Sequence, residues 1–119
     1  MKKKLLIIED EKAMAKAMEI KLQKVGIDAH AVFSGDEGLA ELGKNTYSLV
    51  LLDIMMPGMD GWEVMTKIKE KGLKVKVIIT SNLSQEEDKK KAKEMGAVNF
   101  LVKSDSSLAA ITEEIKGYL

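Results

Sequence analysis

Cysteine is absent from this sequence, which excludes disulfides and thiolate metal sites and fits a reducing cytoplasm, the location expected here. Charge of one sign is missing too. The 19 Lys and Arg residues balance the 19 Asp and Glu, so no long-range field directs the chain to nucleic acid or an anionic membrane, and partners should be recognised by shape. No run approaches the ~18 apolar residues of a membrane span. The start, Met1-Lys2-Lys3-Lys4 before Leu5-Leu6-Ile7-Ile8, imitates a signal peptide but meets Glu9-Asp10-Glu11 too soon to be one. Proline occurs once, at Pro57, and there is no linker, repeat or low-complexity tail. The length suits one domain with one core.

What is present is alternation. Short apolar runs at 4–8, 29–33, 49–52, 75–80 and 98–102 alternate with segments of helical period, the pattern of a parallel sheet covered by helices on both faces. The first helix should present Met14, Ala17, Met18, Leu22 and Val25 and stop at Gly26. Ser34-Gly-Asp-Glu37 and Ser84-Gln-Glu-Glu87 both have the serine and glutamate spacing of a capping box. Pro57 and Gly58 mark a loop after the third strand, and Asp60 is placed to cap a third helix burying Trp62, Met65 and Ile68. The fourth helix has few apolar positions, chiefly Ala92 and Met95 among lysines, and should be loosely held. Leu108, Ile111, Ile115 and Leu119 stripe the last helix.

The strand ends carry the chemistry. Glu9-Asp10 closes the first apolar run, Asp53 the third, Thr80-Ser81 the fourth and Lys103 the fifth, and open α/β sheets build their sites at that edge. Three converging carboxylates repel one another by up to ~4 kcal/mol per pair at about 4 Å and an effective dielectric of about 20, so a cation is the natural resolution. Carboxylates suit Mg²⁺, which keeps several waters and favours a few protein oxygens plus a phosphate. A lysine and a hydroxyl facing it suit a phosphoryl group, and Asp53 has the right type for a nucleophile forming an acyl phosphate.

Taken in order, Ile8-Glu9-Asp10-Glu11, Leu52-Asp53-Ile54-Met55-Met56-Pro57-Gly58-Met59-Asp60-Gly61, Thr80-Ser81-Asn82, Met95-Gly96-Ala97 and Phe100-Leu101-Val102-Lys103 resemble the receiver domain of bacterial two-component response regulators, the CheY-like fold. The resemblance spans essentially the whole chain. It implies a flavodoxin-like three-layer α/β/α sandwich with a five-stranded parallel sheet of order 2-1-3-4-5. It implies Mg²⁺ held by Glu9, Asp10, Asp53 and the Met55 carbonyl, and phosphorylation of Asp53 by a histidine kinase or phosphotransfer protein. Ser81 would contact the phosphoryl group, Lys103 would pair with it, and Phe100 would swing inward as the aromatic switch. Thr80 competes with Ser81 on sequence, but the spacing that the family keeps to its lysine and its Gly-Ala turn assigns Ser81, with Thr80 on the opposite face of the strand. Met55 and Leu83, two residues after Asp53 and Ser81, would flank the path of attacking water. Both are apolar and are expected to slow autodephosphorylation.

Two positions depart from the family. Ser104 stands where a proline usually follows the lysine, which leaves a trans 103–104 peptide and a differently shaped loop open. Asn82 replaces a small residue, and either narrows phosphoryl access or adds a hydrogen bond. These departures are the only support for a degenerate receiver, an interaction module working without phosphate. A flavodoxin-like cofactor binder lacks a phosphate loop after the first strand, and an aspartyl phosphohydrolase lacks a cap or substrate pocket. His30, the lysine runs 2–4 and 89–91 and the methionines read as solvated positions and adaptable core. The expectation is a single receiver domain over residues 1–119, without an effector domain. It would catalyse only its own phosphorylation and dephosphorylation, and signal to an output protein or a second copy through helix four, strand five and helix five.

Overall fold

The computed structural model describes residues 4–82 and 85–119. Five strands, β1 (Lys4–Ile8), β2 (Asp28–Val32), β3 (Leu49–Asp53), β4 (Lys76–Ser81) and β5 (Asn99–Val102), form one parallel sheet in the order β2-β1-β3-β4-β5. The connecting helices are α1 (Lys12–Lys24), α2 (Gly35–Lys44), α3 (Gly61–Glu70), α4 (Glu86–Glu94) and α5 (Leu108–Lys116). The expected fold class is the one observed.

Side-chain alternation divides the sheet into two cores. Leu5, Ile7, Leu49, Leu51 and Ile78 face α1 and α5, while Leu6, Ile8, Val50, Leu52 and Ile79 face α2, α3 and α4. The central strands therefore read as unbroken apolar runs, because both of their faces are buried.

Two caps behave as the sequence suggests. Ser34 Oγ accepts from the Glu37 N–H at 3.1 Å, and Asp60 Oδ1 accepts from the Glu63 N–H at 3.0 Å. The Glu37 carboxylate takes the Ser34 hydroxyl at 3.3 Å. Ser84 lies outside the described residues, and Gln85 is the N-cap residue of α4, without a side-chain capping bond.

Two apolar faces differ from expectation. On α1 the buried residues are Ala15, Met18 and Leu22, whereas Met14, Ala17 and Val25 are exposed. The reason is β2. Glu19 accepts from the Ala31 N–H at 2.7 Å and the Gln23 side-chain amide donates to the Ala29 carbonyl at 3.0 Å. These two bonds hold the polar side of α1 over the open sheet edge, so that Met18 and Leu22 face inward as expected and Ala15 joins them in place of Met14 and Ala17. On α3, Met65 and Ile68 are buried as expected, Val64 is fully buried, and Trp62 is only half-buried; its ring lies under the Lys91 ammonium of α4, 4.5 Å from the ring centre. At the other sheet edge, the Phe100 N–H is taken at 2.8 Å by the Asn99 side chain.

Candidate functional site

The site forms where β1, β3, β4 and β5 end together. Parallel strands deliver their carboxyl ends to one edge, and the register places Ile8 beside Leu52, Asp53 beside Thr80 and Ser81 beside Val102. The next residues on β1 and β5 are Glu9 and Lys103, so the strand ends converge without any long loop.

Glu9 and Asp53 are buried, and Lys103 is nearly so, with side-chain exposures of 6%, 5% and 9%. The Lys103 ammonium bridges the two acids, donating to Glu9 Oε1 and lying 3.2 Å from Asp53 Oδ1. Glu9 Oε2 accepts from the Glu11 N–H at 3.2 Å. Half-buried Asp10 completes an acidic group in which Glu9, Asp10 and Asp53 each place a carboxylate oxygen within 4.8 Å of the others.

Three carboxylates stand against one ammonium. Burial, and then the Glu9 carboxylate, push the Asp53 carboxyl up to about 7, with Lys103 opposing. Burial works to lower Lys103, but the Glu9 and Asp53 carboxylates outweigh it and hold the amine above its ordinary range. The site is thus short of positive charge, and its donors are hard oxygens, the combination that suits a divalent ion such as Mg²⁺.

The other expected residues sit around this core. Ser81 is fully buried at the end of β4, following Ile79 on the α3 and α4 side. Thr80, following Ile78, instead lines a cavity of about 20 Å³ with Met14, Met18, Leu51 and Ile111. The two hydroxyls therefore occupy opposite faces of the strand. Phe100, paired with Ile79, is half-buried and packs into the α2, α3 and α4 side, away from the acids. Met55 is 59% exposed in the loop after Asp53. Leu83 lies outside the described residues, and Asn82 is exposed.

The 103–104 peptide is trans. In place of the family's proline turn, residues Lys103–Asp105 form a single 3₁₀ turn, closed by the Ser106 N–H on the Lys103 carbonyl at 3.3 Å. Ser107 Oγ then caps α5 through the Ala110 N–H at 3.1 Å.

Gly61, which closes the motif that begins at Leu52 and has no role of its own assigned from the sequence, packs directly on the Asp53 and Ile54 backbone.

Comparison with known proteins agrees with this geometry. The chain is 37% identical over 111 residues to the transcriptional regulatory protein DltR of Streptococcus agalactiae, a match covering 91% of this chain and 50% of that protein. It is 35% identical over 100 residues to the response regulator ArlR of Staphylococcus saprophyticus, covering 84% of this chain and 45% of the relative. The chain thus spans about half the length of the curated relatives it matches. Among solved structures, the receiver domain of the Francisella response regulator 1452 superposes with a TM-score of 0.91 at 28% identity, covering 98% of this chain and 95% of the other. The response regulator protein TrrA of Thermotoga maritima, solved in complex with Mg²⁺-BeF, gives 0.85 at 29% identity, covering 98% and 99%. The model of the response regulator receiver domain matches residues 5–116. On the match of nearly its whole length, and with an acidic site at the edge where such sheets build one, this chain belongs to the response regulator receiver domain family.

Proposed function

We propose that this receiver is a phosphorylation switch in which Asp53 accepts a phosphoryl group from a histidine kinase or phosphotransfer protein, with Mg²⁺ held by Glu9, Asp10, Asp53 and the Met55 carbonyl. The observation that carries this reading is the group of three acids at the sheet edge, two of them buried and bridged by a single lysine. Bound there, Mg²⁺ supplies the positive charge that the site lacks and neutralises the phosphoryl oxygens.

The chain's own groups do the rest. An Asp53 carboxylate oxygen attacks phosphorus, the P–N bond to the donor histidine breaks, and the departing imidazole keeps the electron pair and takes a proton from solvent. The resulting acyl phosphate carries about two negative charges. Lys103 turns from the two acids toward the phosphoryl oxygens, and the Ser81 hydroxyl donates to them. Hydrolysis reverses the state: water attacks phosphorus, the P–O bond to Asp53 breaks, and inorganic phosphate leaves. No external metabolite is turned over.

The output runs through α4, β5 and α5 to a partner protein or a second copy of the chain. α4 buries Ala92 alone, and Phe100 borders the same groove as Ala92, Lys89 and Lys93. Moving such an equilibrium from 1:99 to 99:1 takes ~5.5 kcal/mol, within reach of several charge-assisted bonds. Hydrogen exchange in α4 that is unchanged by beryllofluoride would count against this output face. No described helix is long and apolar enough to cross a membrane.

Met55, and on the resemblance alone Leu83, exclude water from the phosphoryl group. The variant Met55→Asn/Leu83→Glu is expected to lose its phosphoryl group about tenfold faster, a barrier lower by ~1.4 kcal/mol. Equal decay would sink that role.

The deciding experiment is intact mass after incubation with Mg²⁺ and acetyl phosphate. A gain of about 80 Da that requires both Mg²⁺ and Asp53, and so disappears in Asp53→Asn or with chelator, is the expected result. No adduct, together with no response of Trp62 fluorescence to beryllofluoride, would overturn the reading.

A further inference from the structure

The loop from Asp53 to α3 is short and closes tightly on itself. The Ile54 carbonyl accepts from both the Met56 N–H at 3.1 Å and the Gly61 N–H at 2.9 Å. Gly61 therefore touches the chain at the point where the loop begins. A Cβ at position 61 would lie 2.6 Å from the Asp53 carbonyl oxygen, 2.6 Å from Ile54 Cα and 2.6 Å from Ile54 Cδ1, where ordinary contact begins at 3.4 Å.

The other glycines at which a Cβ would come closer than 3.0 Å to a neighbour differ in kind. At Gly35 and Gly38 an added Cβ meets side chains, those of Val64 and Met59 or of Ile8, and side chains can turn away. At Gly61 two of the three atoms are backbone. Gly61 is also not among the glycines with positive φ, which are Gly26, Gly58, Gly72 and Gly96. An alanine would thus suit the backbone angles, and proximity alone forbids it.

From this we infer that Gly61 is a positioning residue for the metal, setting where the Met55 carbonyl sits relative to the Asp53 carboxylate. The inference rests on the Mg²⁺ reading proposed above. Asp53 is held in the middle of the sheet, paired beside Thr80, so it does not yield. What must move is the segment 54–60 with the first turn of α3, and the Met55 carbonyl moves with it. Mg²⁺ demands near-ideal octahedral geometry at ~2.0–2.1 Å, so a displacement of a fraction of an ångström in one ligand weakens binding.

Calorimetric titration with MgCl₂ of wild type, Gly61→Ala and Val64→Ala tests this, with urea denaturation of each metal-free protein alongside. Val64 is fully buried on α3, so Val64→Ala loosens the same helix by leaving a cavity while its contacts with the loop backbone remain. The expected result is Mg²⁺ affinity at least tenfold weaker in Gly61→Ala and within twofold of wild type in Val64→Ala. Gly61→Ala within twofold of wild type overturns the inference, and so does Val64→Ala weakening as far as Gly61→Ala, since affinity would then follow the stability of α3. A wild type that binds no Mg²⁺ overturns the metal reading and this inference with it. If Gly61→Ala does not fold, amide exchange in wild type decides. Mg²⁺ should slow exchange of the Gly61 N–H at least fivefold, and an unchanged rate overturns the proposal.

Discussion

At the β2 end of the sheet, α1 buries Ala15, Met18 and Leu22 and ties itself to the strand through Glu19 and Gln23. At the β5 end, α4 buries Ala92 alone and has no side-chain cap; its outward tie to α3 is the Lys91 ammonium over Trp62. Shifting α1 would uncover two large side chains and strand two backbone groups, each step costing about 1–3 kcal/mol. Shifting α4 uncovers the Ala92 methyl group and the half-buried Met95 at its C-cap, and loosens an exposed cation–π contact worth about 0.5–1 kcal/mol. Segments that move in a switch come from the low-stability end of a structure, and here that end adjoins Phe100 and Lys103.

The sharpest break of this contrast is Leu22→Ala, which should cost about 3 kcal/mol, seen as a lower urea midpoint, without selectively raising hydrogen exchange in α4. A loss below 1 kcal/mol would show that α1 is no better anchored than α4. Next is the site that lies between the two ends. Asp53 titrates at about 7 in the folded chain against ~3.9 when unfolded, so between those values the folded state binds the proton more tightly. The stability it contributes therefore falls as pH rises through that window. Without metal, Asp53→Asn should be about 1–2 kcal/mol more stable than wild type at pH 8, with the gap closing toward pH 4, by urea denaturation in the presence of chelator. A gap that widens on acidification would contradict the assignment.

Smaller effects sharpen the comparison at the loose end. Ala92→Gly removes the one buried side chain of α4 and adds backbone freedom. It should cost about 1 kcal/mol and accelerate amide exchange in α4 while leaving α1 unchanged. Lys91→Gln should cost about 0.5 kcal/mol, alter Trp62 fluorescence and modestly strengthen beryllofluoride binding. Fluorescence identical to wild type would show that the ammonium does not hold the ring in solution.

The five strands and their acid, hydroxyl and lysine ends were legible because a buried parallel strand is a nearly continuous apolar run, and any polar residue closing it stands out. Glu9, Asp53 and Lys103 were readable for that reason, and the structure brings them within bonding distance. The inward face of α1 was legible in part: Met18 and Leu22 are buried as expected, while Ala15 takes the place given to Met14, Ala17 and Val25. Either choice completes an apolar stripe with Met18 and Leu22, and the outcome depends on Glu19 and Gln23 finding partners on β2, a contact between elements. In the sequence Trp62 forms one stripe with Met65 and Ile68; those two are buried, whereas Trp62 packs against the core only in part and carries the Lys91 ammonium of the neighbouring helix over its ring. Gly61 is legible as the end of the motif after Asp53 but without a role, because its φ is not positive and only the three-dimensional approach of α3 to Ile54 makes its missing side chain matter.

The treatment of the two sheet edges has a consequence for how such a chain behaves at high concentration. A strand from another molecule adds to a sheet by a ladder of consecutive backbone bonds. On β2 the Ala31 N–H and the Ala29 carbonyl are already occupied, and on β5 so is the Phe100 N–H. An incoming strand would find rungs missing on both sides, so the sheet resists growth from one copy to the next. Assembly is left to helix faces and side chains, where the association can be reversed.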